Sequence, residues 1–138
     1  MDEIFERDDN LEAVINDLID TEEDLIYLKA ANVKVICLKT DRAKTKNGVK
    51  VFADCEAVTE KYKWATNAKF MITVYTPNIY HFLETQKRIL LFQQLLKIVP
   101  GKDEEFLLRD YDVQDFSIIV KRYGTSWAKE PGLFDDKD

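Results

Sequence analysis

The stretch that decides the fold is ETQKRILLFQQLLKIV, residues 84–99. On a helical projection its large apolar side chains cover most of the circumference, and they are Ile89, Leu90, Phe92, Leu95, Leu96 and Val99. A helix of this kind is buried, and each large side chain contributes about 1.5–3 kcal/mol when it leaves water. Pro100-Gly101 follows and ends the segment. We therefore predict a central buried helix over residues 84–99.

Short strands are predicted before and after this helix. Residues 33–40, 49–58 and 70–75 are rich in β-branched and aromatic side chains, and residues 104–109 form a shorter extended segment. A polar, basic turn over residues 41–48 joins the first two strands. Three lysines in and beside this turn either contact phosphate or an acidic partner, or form a solvated hairpin tip; they are Lys44, Lys46 and Lys50.

Two helices are predicted at the N-terminus. Asp8, Asp9 or Asn10 can cap the first, whose apolar stripe consists of Leu11, Val14, Ile15 and Leu18. Thr21 with Asp24 resembles a capping box that starts a second helix, which ends near Ala30.

A further helix is predicted near the C-terminus, with Asp112 as its N-cap and Gly124 after its end. The predicted fold class is therefore α+β. A small twisted sheet of three to four strands packs on the central helix, with helices at both ends. We expect one domain over residues 1–128 and a flexible acidic tail over residues 129–138.

The net charge of −6 is unevenly distributed. Residues 1–25 hold eleven acidic side chains and one basic side chain, whereas the remainder holds 15 acidic and 19 basic ones. Such an N-terminal segment repels phosphate, but it can meet a basic protein surface and accelerate that encounter. The alternative is a solvated helical face. The candidate partner-binding residues are Glu12, Asp17, Glu22, Glu23 and Asp24.

Composition argues against several protein classes. No apolar run reaches the ~18 residues of a membrane span, and the first residues are acidic rather than signal-like, so we expect a cytoplasmic protein. Cys37 and Cys55 are expected to be reduced thiols. The chain has four glycines and contains no phosphate-binding loop, nucleophile elbow or Cys-x-x-Cys motif, which makes a nucleotide-binding fold improbable.

Several groups of residues between Lys34 and Trp127, about two-thirds of the chain, resemble a family of small phage and prophage proteins described as metallopeptidases. They are Asp54-Cys55-Glu56, KYKWAT at residues 61–66, FMITVYTPN at residues 70–78, QKRILL at residues 86–91 and DVQDF at residues 112–116. The resemblance implies a minimal zincin-like domain. It also implies that the family's His-Glu-x-x-His helix falls on residues 93–97 and its next histidine on Tyr111.

Every position that the resemblance assigns to chemistry holds a different residue. In His-Glu-x-x-His, two histidines four residues apart bind zinc and the glutamate activates the bound water. Here the ligand positions hold Gln93 and Lys97, the base position holds Gln94, and Tyr111 stands at the third histidine. A lysine ammonium has no lone pair to donate, and an amide does not accept a proton as a carboxylate does. We therefore expect no enzyme activity, no metal and no cofactor.

Two interpretations of these four residues stay open. In the first, they fill the former metal cleft as a polar cluster, with Tyr111 contacting the glutamines. In the second, Gln94 and Lys97 simply face water.

The leading hypothesis for function is an inactive metallopeptidase-like phage protein that binds another protein. Its partner would be a host or phage protein with a basic surface, without direct nucleic-acid or membrane contact. An acidic, DNA-mimicking surface would suit an inhibitor of a host defence nuclease, of anti-CRISPR or anti-restriction type, or a regulator. One alternative is a hydrolase with a reduced or relocated metal site, using His81 with Asp112 or Asp115. Another is a structural or homo-oligomeric accessory subunit.

Overall fold

A computed structural model of the chain describes residues 5–59, 66–100 and 106–108. Eight strands and four helices are assigned there, in the order β1 (Phe5–Arg7), α1 (Asp9–Thr21), α2 (Ile26–Ala30), β2 (Val35–Thr40), β3 (Thr45–Lys46), β4 (Val49–Lys50), β5 (Ala53–Ala57), β6 (Phe70–Tyr75), α3 (Thr76–Ile79), α4 (Glu84–Leu95), β7 (Ile98–Pro100) and β8 (Phe106–Leu108). A 3₁₀ turn over Glu23–Leu25 leads into α2. The fold class is α+β, as predicted.

The main sheet has four strands in the order β1-β2-β6-β5. The two central strands, β2 and β6, are parallel, with Val35 opposite Phe70 and Thr40 opposite Tyr75. Both edge strands run antiparallel to their neighbours. The predicted strand over residues 70–75 is confirmed, and the one over residues 33–40 begins two residues later than predicted, at Val35.

One face of this sheet is covered by α1 and α4, and a single apolar cluster joins both helices to the sheet. Leu90, Leu91 and Phe92 of α4 are each 1% exposed. Cys37 of β2 and Ile72 of β6 lie in the same cluster and are fully buried. The central buried helix predicted from its apolar circumference is thereby confirmed.

The end of that helix differs from the prediction. The helix stops at Leu95, and residues 98–100 form β7, which pairs with β8. Ile98 and Val99 are β-branched and precede a proline, which cannot donate a helical hydrogen bond. The Tyr27 hydroxyl donates to the Ile98 carbonyl at 2.5 Å and holds this strand against α2.

The predicted strand over residues 49–58 is two elements. Asn47 and Gly48 both have positive φ angles, 53° and 78°, as a two-residue type I′ turn requires. The turn closes a small hairpin of β3 and β4, and β5 begins separately at Ala53. The basic turn predicted over residues 41–48 is therefore partly strand.

At the N-terminus, Asp8 caps α1, and its Oδ1 accepts a hydrogen bond from the Leu11 amide at 2.9 Å. The capping box predicted at Thr21 is wrong. The Thr21 hydroxyl donates back to the Asp17 carbonyl at 2.8 Å, so this residue belongs to α1. The predicted end of the second helix at Ala30 is correct. Strand β1 was not predicted, because three residues in an acidic segment carry no alternating pattern.

Two predictions fall outside the described residues: the last helix beginning at Asp112 and the acidic tail over residues 129–138. Among the described helices, none is long and apolar enough to cross a membrane.

The burial of α4 predicts the effect of truncating its largest side chain. Phe92→Ala should lower the free energy of unfolding by about 3–5 kcal/mol, because it leaves a cavity in a close-packed core. Ile26→Ala is the matched control, since Ile26 is 62% exposed, and it should stay within about 0.5 kcal/mol of the native chain. Urea titration followed by circular dichroism measures both. Equal losses in the two variants would contradict the assigned core.

Candidate functional site

The end of α4 and the edge strand β5 pack against each other and form the candidate site. Gln93 and Gln94 lie on the last turn of α4, and Lys97 follows two residues after its end. Hydrogen bonds from the Leu96 amide to Phe92 and from the Lys97 amide to Gln94 continue the turn. Gln93 and Lys97 are therefore one turn apart, as the family's two zinc ligands would be.

The two glutamines are buried, at 6% and 1% exposure for Gln93 and Gln94. Within the pair, Gln94 Nε2 donates a hydrogen bond to Gln93 Oε1 at 3.2 Å. A buried amide left without partners would cost about 1–3 kcal/mol, so this bond offsets part of the cost of placing two amides in an apolar helix. The interpretation in which Gln94 faces water is wrong. Tyr111 lies outside the described residues.

Lys97 is partly exposed and lies close enough to Asp54 and Cys55 on β5 to act on both electrostatically. Burial raises the pKa of the Cys55 thiol to about 12, against the opposing effect of the Lys97 charge. Burial also raises the pKa of the Cys37 thiol. Both cysteines are free, as predicted, and at neutral pH both are protonated thiols rather than thiolate ligands or nucleophiles.

A carboxylate that the sequence did not single out completes the site. Asp54 Oδ2 accepts hydrogen bonds from Lys44 Nζ at 2.5 Å and from the Tyr75 hydroxyl at 2.7 Å. The Lys44 ammonium also lies 5.4 Å from the centre of the Tyr75 ring. Burial by itself would raise the pKa of the Asp54 carboxyl, but the two hydrogen bonds and the charges of Lys44 and Lys97 outweigh it and hold that pKa below its ordinary value.

The donors of this site do not suit the zinc ion that the family motif implies. The positions to which the resemblance assigns the motif hold two amide side chains bonded to each other and a lysine ammonium, and an ammonium repels a divalent cation. Within residues 5–59, 66–100 and 106–108, no group of three or more His, Cys, Asp and Glu side chains could hold a metal ion. The residues described here do not fit the metal.

His81 lies in the loop between α3 and α4 and packs against two aromatic neighbours. Its ring centre is 5.4 Å from that of Tyr80 and 4.9 Å from that of Phe82, both with edge-on geometry. Its Nδ1 is buried without a hydrogen-bond partner among the described residues. Its proposed carboxylate partners, Asp112 and Asp115, lie outside those residues.

The structure removes one member of the predicted acidic surface. Glu12 is 9% exposed, and its two carboxylate oxygens accept from Arg7 Nε at 2.6 Å and Arg7 Nη2 at 2.8 Å. The Arg7 hydrogen bond, against the opposing effect of burial, holds the pKa of the Glu12 carboxyl below its ordinary value. Glu12 therefore joins β1 to α1 and does not lie on an exposed acidic surface.

The other predicted partner-binding residues lie nearer the solvent, around the end of α1. Glu23 and Asp24 are exposed in the 3₁₀ turn, and Glu22 before them is half-buried. Asp17 forms an ion pair with Arg88 of α4 at 2.8 Å, with its side chain 55% exposed.

The lowered pKa of Asp54 predicts how stability depends on pH. A carboxyl whose folded-state pKa is depressed contributes stability above its unfolded-state pKa, and this contribution is lost as pH falls through the folded-state pKa. Asp54→Asn should therefore destabilise the chain at pH 7 and progressively less below about pH 4. Tyr75→Phe removes one of the two hydrogen-bond donors to Asp54, so its loss of unfolding free energy should depend less on pH than that of Asp54→Asn. Urea titrations from pH 7 to pH 3 test this, and a constant gap between native and Asp54→Asn chains would contradict it.

Comparison with known proteins gives one match. The model of a family described as "Putative phage metallopeptidase" matches residues 3–134. No curated protein and no solved structure matches the chain. The matched range covers nearly the whole sequence, including α4, β5 and residues 93–97. The chain therefore belongs to the phage metallopeptidase family.

Proposed function

We propose that this protein is a catalytically inactive member of its family and that it acts by binding another protein. The observation that carries the proposal is the buried Gln93–Gln94 amide pair with Lys97 beside it. Peptide hydrolysis by a zincin needs a metal to polarise the carbonyl and a carboxylate to take a proton from water. These three side chains supply neither function.

The packing of α4 explains how the helix can stay folded without metal ligands. Ile89, Leu90, Leu91 and Phe92 are at most 2% exposed and belong to the apolar cluster that joins the helices to the sheet. Replacing ligands at Gln93 and Lys97 leaves this burial intact, so the fold does not depend on a bound metal.

The surface that we propose for partner binding is the acidic end, which we define as residues 17–24. It comprises the last turn of α1 and the 3₁₀ turn, and its five carboxylates are Asp17, Asp20, Glu22, Glu23 and Asp24. A concentration of negative charge on one surface accelerates encounter with a positively charged partner. Because the chain belongs to a phage family, we propose as partner a host nuclease of a defence system, or a regulator, whose basic surface normally contacts nucleic acid.

Two of these carboxylates are held in ion pairs that a partner can replace. Asp17 pairs with Arg88 at 2.8 Å and Asp20 with Lys29 at 3.1 Å, and all four side chains are at least 40% exposed. Exposed pairs of this kind contribute about 0–1 kcal/mol, so exchanging them for contacts with a basic partner costs little.

The zinc content of the purified protein tests whether the positions of the family motif bind a metal. The native chain should hold no stoichiometric zinc after dialysis. Gln93→His combined with Gln94→Glu, Lys97→His and Tyr111→His restores the donors of the family motif and should bind one zinc per chain. Elemental analysis and competition with a chromogenic chelator measure both proteins. One zinc per native chain after dialysis would contradict inactivity and favour the hydrolase built on His81 with Asp112 or Asp115.

Charge neutralisation tests the acidic end. Glu23→Gln with Asp24→Asn should weaken capture of the partner from host lysate at low salt and flatten its salt dependence, because two screened attractions are removed. Asp41→Asn with Glu56→Gln is the control, since it removes the same charge at exposed residues elsewhere. Mass spectrometry at two salt concentrations identifies and quantifies the partner.

Equal capture by both double variants would contradict the acidic end as the contact. If no protein is captured and light scattering gives a stable homodimer, the structural-subunit alternative replaces the proposal.

A further inference from the structure

A concentration of positive charge lies outside the acidic end and the motif cleft. Residues 39–50 hold five basic side chains and one acidic one, Asp41. We call residues 44–51 the basic hairpin; it contains β3, the Asn47-Gly48 turn and β4. All residues from 45 to 50 are exposed, and an added Cβ on Gly48 would meet no atom within 4 Å. The tip therefore projects freely from the rest of the described chain.

The side chains of two lysines in this hairpin form no ion pair or hydrogen bond within the described part of the chain. Lys44 is bound to Asp54, and Lys39 at the end of β2 lies 3.9 Å from Asp8. Lys46 and Lys50, by contrast, have no ion-pair or hydrogen-bond partner among the described residues. Their charges are available to an external anion.

The register of the hairpin places these two lysines on opposite faces. Thr45 lies across from Lys50, and Lys46 lies across from Val49. Residues directly opposite each other project to the same side of a ribbon, and successive residues alternate. Lys46 therefore projects from one side of the ribbon and Lys50 from the other.

The base of the hairpin is fixed by one buried side chain. Asn78, which is 3% exposed, donates from Nδ2 to the Lys44 carbonyl and to the Val51 carbonyl, each at 2.8 Å. The Val51 amide donates to the Lys44 carbonyl at 2.9 Å and closes the base between the two strands. A ribbon held in one orientation loses less conformational entropy on binding than a mobile loop.

The acidic end does not cancel this charge, because the two lie at opposite ends of β2. The start of α1 lies near the end of β2, because the Asp8 amide donates to the Cys37 carbonyl and the Asp8 carboxylate lies near Lys39. Helix α2 lies near the start of β2, because the Val33 amide donates to the Leu28 carbonyl. Strand β2 has six residues, so its ends are about 20 Å apart at ~3.3 Å per residue. That separation exceeds the Debye length of about 8 Å at physiological salt.

We propose that the basic hairpin binds duplex DNA by inserting its tip into the major groove. The major groove of duplex DNA is about 12 Å wide and admits a two-stranded ribbon. A lysine on each side of the ribbon then reaches phosphates on opposite walls of the groove. The carboxylates at this end of β2 include Asp54, which is bound to Lys44, Asp8, which lies 3.9 Å from Lys39, Glu6, which lies across from Lys39 in the sheet, and the exposed Asp41.

The expected binding is weak, tolerant of sequence and dependent on salt. Each phosphate neutralised contributes about −0.9 to the slope of log K against log salt, so two lysines give a slope of about −2. Duplex RNA should bind more weakly, because its major groove is deep and narrow and does not admit side chains.

Fluorescence anisotropy of a labelled 20-base-pair DNA duplex, titrated with the full chain between 25 and 200 mM salt, tests the proposal. Lys46→Ala with Lys50→Ala should reduce affinity by about tenfold at the lowest salt and bring the slope close to zero. Lys34→Ala with Lys69→Ala is the matched control, since it removes two exposed lysines at the starts of β2 and β6, and it should bind like the native chain. Lys46→Arg with Lys50→Arg should retain binding, and circular dichroism shows that each variant is folded.

Three results would overturn the proposal. The first is equal loss of affinity in the two alanine variants. The second is the absence of saturable binding by the native chain at 25 mM salt. The third is tighter binding to a poly-glutamate peptide or to duplex RNA than to DNA, which would assign the hairpin to another class of partner.

Discussion

Burial of α4 against α1 and the sheet is the constraint on which the other features of this structure depend. Leu90, Leu91, Phe92 and Leu95 are each at most 1% exposed, so the C-terminal half of the helix is held by its apolar contacts. Any polar side chain on such a helix must find a partner inside the protein. Gln93 and Gln94 meet this requirement in part through each other, at 3.2 Å. This helix is thus packed here as a structural element.

The packing of α4 against β5 also determines the surroundings of Asp54 and Cys55. Strand β5 lies against α4, and its Asp54 is neutralised by Lys44 and hydrogen-bonded by Tyr75 rather than left to bind a cation. Cys55 on the same strand is a protonated thiol because it is buried. Asp54 and the Gln93–Gln94 pair are therefore engaged in pairing with other side chains of the protein. The surface has charge of opposite sign at the two ends of β2.

Features set by local pattern were predictable from the sequence. The apolar circumference of residues 84–99 predicted a buried helix, of which residues 84–95 form α4, and residues 70–75 formed the predicted strand. Asp8 was among the three candidate caps for α1. The predictions were wrong where a local interaction or a neighbouring residue favoured a different structure from the one that the hydrophobic pattern indicated. Ile98 and Val99 look helical by hydrophobicity but are β-branched and precede Pro100, and Thr21 bonds back into its own helix.

Pairings between distant residues were not predictable. The Asp54–Tyr75 bond joins positions 21 apart, and the two Asn78 bonds that fix the hairpin span 27 and 34 positions. Glu12 was assigned to the acidic surface because its neighbours are acidic, whereas Arg7 five residues away draws it into a buried pair. Such contacts depend on how strands are ordered in the sheet, and one sequence carries no spacing signal for them.

We infer that the amide pair of Gln93 and Gln94, and not a metal ion, occupies the positions of the family motif. This inference is tested most directly by NMR of the side-chain amide groups of Gln93 and Gln94 in the native chain, recorded with and without one equivalent of zinc. We expect the amide protons of Gln94 to exchange slowly with solvent, and we expect neither residue's resonances to shift when zinc is added. Stoichiometric, saturable shifts of both side chains on adding zinc would contradict the inference.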